Sequence, residues 1–131
     1  MLPGTNRAAD RFARASFYIK AIPQTDNARD ALASVLGVIR NASVPLGIST
    51  PGQPNISSTL WRTMSDHKHR TYFFDAATSP NAFWAPLKDL DLAKGAPPKK
   101  LPLAGGETYS GNAAGDFVAA APFAFFAAPA D

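Results

Sequence analysis

Side chains able to act as acids, bases or ligands are sparse in this chain, and the densest set is Asp66, His67 and His69. Histidines two positions apart point to one face of an extended backbone, and imidazole and carboxylate both suit a zinc-like ion. The chain holds 2 histidines in all. No further histidine exists to complete a ligand set, so a polar hairpin tip is the expected role. Ser57, Ser58 and Thr59 bring hydroxyls together, but no Gly-x-Ser-x-Gly elbow surrounds them, and a triad would have to recruit a turn histidine. Strand polarity accounts for them more simply. Arg11 and Arg14 lie three positions apart; on pattern alone Arg11 is a solvated side chain or a partner of Asp10. Gly105-Gly106 has no Gly-Lys-Thr neighbour and fits no phosphate loop. Asn41-Ala42-Ser43 and Asn55-Ile56-Ser57 match a glycosylation acceptor pattern, and the role expected of them is that of ordinary turn residues.

The elements that must carry these groups are marked by spacing. After Pro3-Gly4, the residues Ala8, Phe12, Ala15, Ile19 and Ile22 recur every three or four positions, which predicts an amphipathic helix ended by Pro23. Thr5 or Asn6 is the expected cap, and Asp10 suits the positive end of the helix dipole. A second helix is capped by Asn27, with Asp30 three positions on, and carries the stripe Ala28, Leu32, Val35, Leu36 and Ile39. It closes between Asn41 and Pro45, and a loop runs from Leu46 to Pro54. Two strands are expected, from Ile56 to Ser65 and from Arg70 to Ala76, joined by a turn at Asp66 to His69. Tyr72-Phe73-Phe74 is an unbroken aromatic run, so both faces of that strand are expected to be covered. A short third strand is expected between Pro80 and Leu92, a solvated connection from Lys94 to Pro102, and a glycine-rich stretch with little to pack from Gly105 to Gly115. The Ala- and Phe-rich residues from Phe117 to Asp131 are expected to form an extended arm covering core or an oligomer interface.

Composition bounds the partners. Hydrophobic residues make up 46% of the 131 and charged residues 18%, which suits a folded domain rather than a disordered chain. The net charge of +3 is spread along the chain, so nucleic acid is not an expected partner. No apolar run reaches the roughly 20 residues of a bilayer span, and no membrane span is expected. Cysteine is absent, which removes disulfides, thiolate metal sites and a cysteine nucleophile from these residues. Neither a metal nor a cofactor is expected.

The order of motifs is more specific than any one of them. The segment LPGTNRAADRFARASFYIKAIP contains Leu2-Pro3-Gly4, a short polar gap, then Arg11-Phe12-x-Arg14-Ala15-x-Phe17. VIRNASVPLGI and ISSTLWRTMSDHKHRTYFFDAATSPNAFW follow in turn. Over about residues 2 to 90 this order resembles the last third of choloylglycine hydrolases and penicillin V acylases. The resemblance implies an α+β fold: part of an αββα sandwich of the N-terminal-nucleophile hydrolase type, with two helices, an antiparallel hairpin and an extended carboxy-terminal arm. All of 1–131 then belongs to one such domain, with 2–92 family-like and 93–131 a Pro-, Gly- and Ala-rich extension.

The same resemblance implies cleavage of a linear amide, in conjugated bile salts, penicillin V or acylated homoserine lactones, by a cysteine at the mature amino terminus. The free α-amine would take the thiol proton, the thiolate would attack the carbonyl, and water would release the acyl group. Met1 and Leu2 cannot attack a carbonyl, so the chain is expected to be inactive without an amino-terminal portion that brings the cysteine. By resemblance Arg11 lies beside that nucleophile, where a guanidinium favours thiolate over thiol, and Arg14 is the runner-up. Thr5 stands where the family often has Asp, which leaves no carboxylate there. The expected partners are the amino-terminal portion, a small acyl-amide substrate and further copies of the chain. Trp61-Arg62 and the Pro-rich extension are similar to the Gram-negative branch, which implies the periplasm. The alternatives are a noncatalytic structural or binding module on the same fold and a small enzyme of unrelated type.

Overall fold

The first element is set by alternating apolar and charged residues and stopped by a proline. In the computed structural model, which describes residues 1–48, 51–52 and 58–126, α1 is Ala8–Ala21. Its cap is Arg7, which makes no side-chain cap bond, rather than Thr5 or Asn6. The Thr5 hydroxyl instead accepts the Arg7 N–H at 3.3 Å and donates to the Asp10 carboxylate. At the far end Ile22 is extended, as the residue before Pro23 must be to avoid the proline ring. α2 is Ala28–Asn41, and Asn27 Oδ1 accepts from the N–H groups of Arg29 and Asp30 at 3.0 and 3.4 Å, as the sequence predicts.

The strands are β1 Trp61–Asp66, β2 Thr71–Ala76, β3 Phe83–Pro86, β4 Lys99–Lys100, β5 Gly111–Asn112 and β6 Val118–Ala119. One sheet has the hydrogen-bonded order β1-β2-β3-β5, and β4 pairs with β6 in a two-stranded ribbon. The fold is therefore α+β, as expected. β1 begins at Trp61, later than the expected Ile56; residues 56 and 57 lie outside the described part, as do Asn55 and the loop's Pro54.

The chain divides into two units, Met1–Met64 with Phe74–Pro80, and Ser65–Phe73 with Asn81–Asp131. In the first, α1 packs on α2, and Val38, Val44 and Met64 are buried. The expected apolar stripe of α1 does not face this core: Phe12 is 74% exposed and Ile19 is also exposed. The half-buried residues of α1 are instead Asp10, Arg11, Ala13, Arg14, Ala15, Ser16 and Tyr18. Val44 is sealed by Thr59, whose hydroxyl accepts the Val44 N–H at 2.9 Å while its own N–H donates to the Val44 carbonyl at 3.0 Å.

In the second unit Phe83, Ala85 and Ala113 are buried. Phe83 meets Tyr109 edge-on at 5.5 Å, and Trp84 meets Phe73 at 5.7 Å. The glycine-rich stretch packs after all. β5 runs parallel to β3, with Phe83 opposite Gly111 and Trp84 opposite Asn112. Gly111 has φ +77°, a conformation that a Cβ disfavours. The Lys-rich connection likewise contains a strand, Lys99 pairing Ala119 and Lys100 pairing Val118. Phe73 and Phe74 are half-buried but Tyr72 is exposed, so the aromatic run is not covered on both faces. Beyond β6, residues 120–126 form no helix or strand, and Phe123, Phe125 and Phe126 are exposed rather than covering core. Among the described residues no helix is long and apolar enough to cross a membrane.

Candidate active-site residues and their support

Arg11 lies one helical turn into α1, on the side that meets α2. Its Nε donates to the Ala42 carbonyl at 2.7 Å, just past the end of α2. The Nη atoms have no hydrogen-bond partner among the described residues. Arg14 faces the other way along the chain: Nη1 donates to the Pro3 carbonyl at 3.0 Å and the Thr5 carbonyl at 2.7 Å. It clamps the Leu-Pro-Gly turn onto the helix. Among the described residues neither arginine pairs with a carboxylate, and Asp10 is engaged by Thr5 rather than by Arg11.

A second polar group includes Ser43, the residue after Ala42, and the residue patterns did not single it out. Asp75, at 2% side-chain exposure, accepts from Arg40 Nη2 at 3.0 Å, Arg40 Nε at 3.1 Å and Arg62 Nη1 at 3.2 Å. Arg62 also donates from Nε to the Ser43 hydroxyl at 2.7 Å, and that hydroxyl donates to the Ile39 carbonyl at 2.8 Å. A buried carboxylate needs paired charge and hydrogen bonds to offset its desolvation, and both are present. The hydrogen bonds to Asp75 hold the Arg40 guanidinium above its ordinary pKa, against the opposing effect of burial. The available signal was a lone acid closing the run Tyr72-Phe73-Phe74-Asp75, with Arg62 on the preceding strand.

The histidines are not brought into a ligand set. His67 and His69 lie in the 67–70 turn rather than on a strand, so the shared-face spacing does not apply. Asp66 accepts the His69 N–H at 2.9 Å and lies 2.6 Å from His69 Nδ1, and these bonds pull its carboxyl below the usual range. Beside the turn is an open depression of about 420 Å³, lined by Asp66, His67, Arg70, Tyr72 and Leu87 among others. Ser58 accepts the Gly47 N–H at 3.0 Å and Thr59 holds Val44, so both hydroxyls tie loops. Ser57 lies outside the described residues.

α1, which carries the Arg-Phe-x-Arg motif, packs on α2, whose start is capped by Asn27, and the β1–β2 pair follows in the chain. The family model for linear amide C-N hydrolases, choloylglycine hydrolase family, matches residues 1–101, and the chain belongs to that family. It is 49% identical over 140 aligned positions to a protein named Penicillin V acylase from Pectobacterium atrosepticum, covering 95% of this chain and 37% of that protein. Among solved structures it is similar to penicillin V acylase from Agrobacterium tumefaciens, with a TM-score of 0.88 and 54% identity over 96% of this chain and 41% of that one. The chain thus spans about two-fifths of the length of these relatives.

Proposed function

We propose that these residues form the carboxy-terminal part of a linear-amide hydrolase whose cysteine nucleophile comes from an amino-terminal portion, with Arg11 as the supporting cation. The observation that carries this reading is how Arg11 is held. Its Nε is fixed on a neutral carbonyl at 2.7 Å, which orients the guanidinium without neutralising it. A full positive charge beside a thiol favours the thiolate, the form that attacks the amide carbon. The attack forms an acyl-enzyme and expels the amine, and water then breaks the thioester to release the acid.

Penicillin V is the first substrate to test, because both similar proteins carry that name; conjugated bile salts and acylated homoserine lactones are the comparison substrates. The proposal treats 2–92 and the extension 93–131 as parts of one domain, and includes association with the amino-terminal portion and with further copies of the chain.

The test joins these residues to the amino-terminal portion of the Pectobacterium protein and follows penicillin V hydrolysis. Arg11→Ala is expected to lower kcat/KM about a hundredfold, the scale of losing one charge-stabilising group. Unchanged turnover in Arg11→Ala removes the role. Robust hydrolysis by the 131-residue chain alone, free of other acylases, overturns the proposal as a whole.

A further inference from the structure

Among the described residues the Arg11 guanidinium is held by one hydrogen bond, to a backbone carbonyl, so its direction is only as well defined as that carbonyl. The Ala42 carbonyl belongs to the peptide joining Ala42 to Ser43, at the point where α2 gives way to extended chain. Free carbonyls at a helix end usually turn to water. Here the neighbouring groups are pinned. The Ser43 N–H donates to the Arg40 carbonyl at 3.1 Å, and the Ser43 hydroxyl is fixed between the Ile39 carbonyl and Arg62 Nε. Arg62 is in turn fixed on Asp75, which also grips Arg40 through two nitrogens. Residues 40 and 43, on either side of Ala42, are thus tied to one buried carboxylate.

We infer that Ser43, Arg62 and Asp75 are positioning residues that set the direction of the Arg11 guanidinium through the Ala42 carbonyl; this rests on the reading of Arg11 given above. Two further features support it. Arg62 uses separate nitrogens for Ser43 and Asp75, a span that the single ammonium of lysine does not reproduce. The chain just beyond is locked at Val44 by Thr59 from both directions, so the turn cannot relax by sliding the following residues.

The decisive variant is Ser43→Ala, which cuts the tie from the ion cluster to the residue following Ala42 while leaving both arginines on Asp75. With arginine side chains labelled in nitrogen-15, the Arg11 Nε–H of the 131-residue chain is expected to exchange about tenfold faster in Ser43→Ala, the weight of one hydrogen bond. Ser43→Thr keeps the hydroxyl and is expected to restore protection to within about twofold. Asp75→Asn should give the same loss by another route. Unchanged Arg11 protection in both Ser43→Ala and Asp75→Asn overturns the inference. So does an acceleration in Ser43→Ala shared equally by the backbone amides of α1 and α2, which would mark loss of the fold rather than of one bond.

A second readout separates this inference from the reading it rests on. In the joined enzyme, a misdirected guanidinium leaves the thiol less acidic, so the acid limb of the kcat/KM profile should move to higher pH in Ser43→Ala with KM little changed. A merely structural loss would lower the profile without moving its limb, and that result counts against positioning. If Arg11 protection changes as expected but Arg11→Ala itself leaves the limb in place, the positioning stands and the catalytic reading of Arg11 fails.

Discussion

Replacing Asp75 by Asn changes little in size but removes the charge that pairs Arg40, at the end of α2, and Arg62, on β1. The cost follows from how each partner can respond. Arg40 has 48% side-chain exposure and can swing into water, so its lost pairing is worth about 1 kcal/mol or less. Arg62, at 16%, has little access to water, and the new amide NH₂ would point a donor at donors. Leaving a buried charge without its partner costs about 3–5 kcal/mol, and the freedom of Arg40 places Asp75→Asn near the lower end, about 3 kcal/mol. Arg62→Met leaves Asp75 with its two bonds to Arg40 and loses one bond to the carboxylate and one to Ser43, about 2 kcal/mol. Arg40→Met opens a site that water can reach, about 1 kcal/mol. Urea unfolding followed by circular dichroism, with unchanged slope, measures all three. The Asp75→Asn/Arg62→Met double variant should cost less than the sum by at least about 1.5 kcal/mol, since no buried charge is then left without a partner. Additivity within about 0.5 kcal/mol, or Arg40→Met as costly as Asp75→Asn, would refute the picture of a shared buried carboxylate.

Other consequences are smaller and local. Asn27→Ala removes the acceptor for two N–H groups at the start of α2 and should lower stability by about 1 kcal/mol, with Asn27→Asp close to neutral in the same urea titration. Asp66 has its carboxyl lowered in the folded chain, chiefly by the His69 N–H and then by the His69 ring. Its contribution is therefore present above the unfolded carboxyl's pKa and fades as pH falls through the lower folded value. Acidification below about pH 4 should loosen the 67–70 turn first, seen as faster exchange of the His69 amide, and Asp66→Asn should abolish that dependence.

What could be read from the residues was local, and what could not was carried over distance. The Asn27 cap and the stop at Pro23 involve neighbours a few positions apart, and both stand where the pattern puts them. The apolar stripe of α1 marks an amphipathic helix but says nothing about which neighbour it meets, and Phe12 turns out exposed while Arg11 and Arg14 lie inward. The Asp75 cluster joins residues 35 and 13 positions apart on three elements, so no spacing rule reaches it. The pairing of β5 with β3 was hidden for another reason. Glycine offers no side-chain pattern, although its freedom at Gly111 is what admits a φ of +77° at the position paired with Phe83. Arg11 was singled out by its place in a series of motifs, and only the geometry supplied its partner, Ala42.

The kind of acceptor separates Arg11 and Arg14 from Arg40 and Arg62. Arg40 and Arg62 end on a carboxylate, which cancels much of the field they would exert elsewhere and makes them parts of the scaffold. Arg11 and Arg14 end on neutral carbonyls and keep their full charge. Between these two, the nitrogen that is used decides. Arg14 spends a terminal nitrogen on two carbonyls of the Leu-Pro-Gly turn, so one arm of its fork is already turned toward its own chain. Arg11 spends the inner Nε and keeps both Nη atoms at the far end, the part of a guanidinium that approaches another group as a planar, two-pronged donor. A side chain required to present charge in one direction, from a fixed base, is better served by the second arrangement. On this ground Arg11→Ala should act mainly on turnover and Arg14→Ala mainly on how firmly residues 1–7 are held to α1.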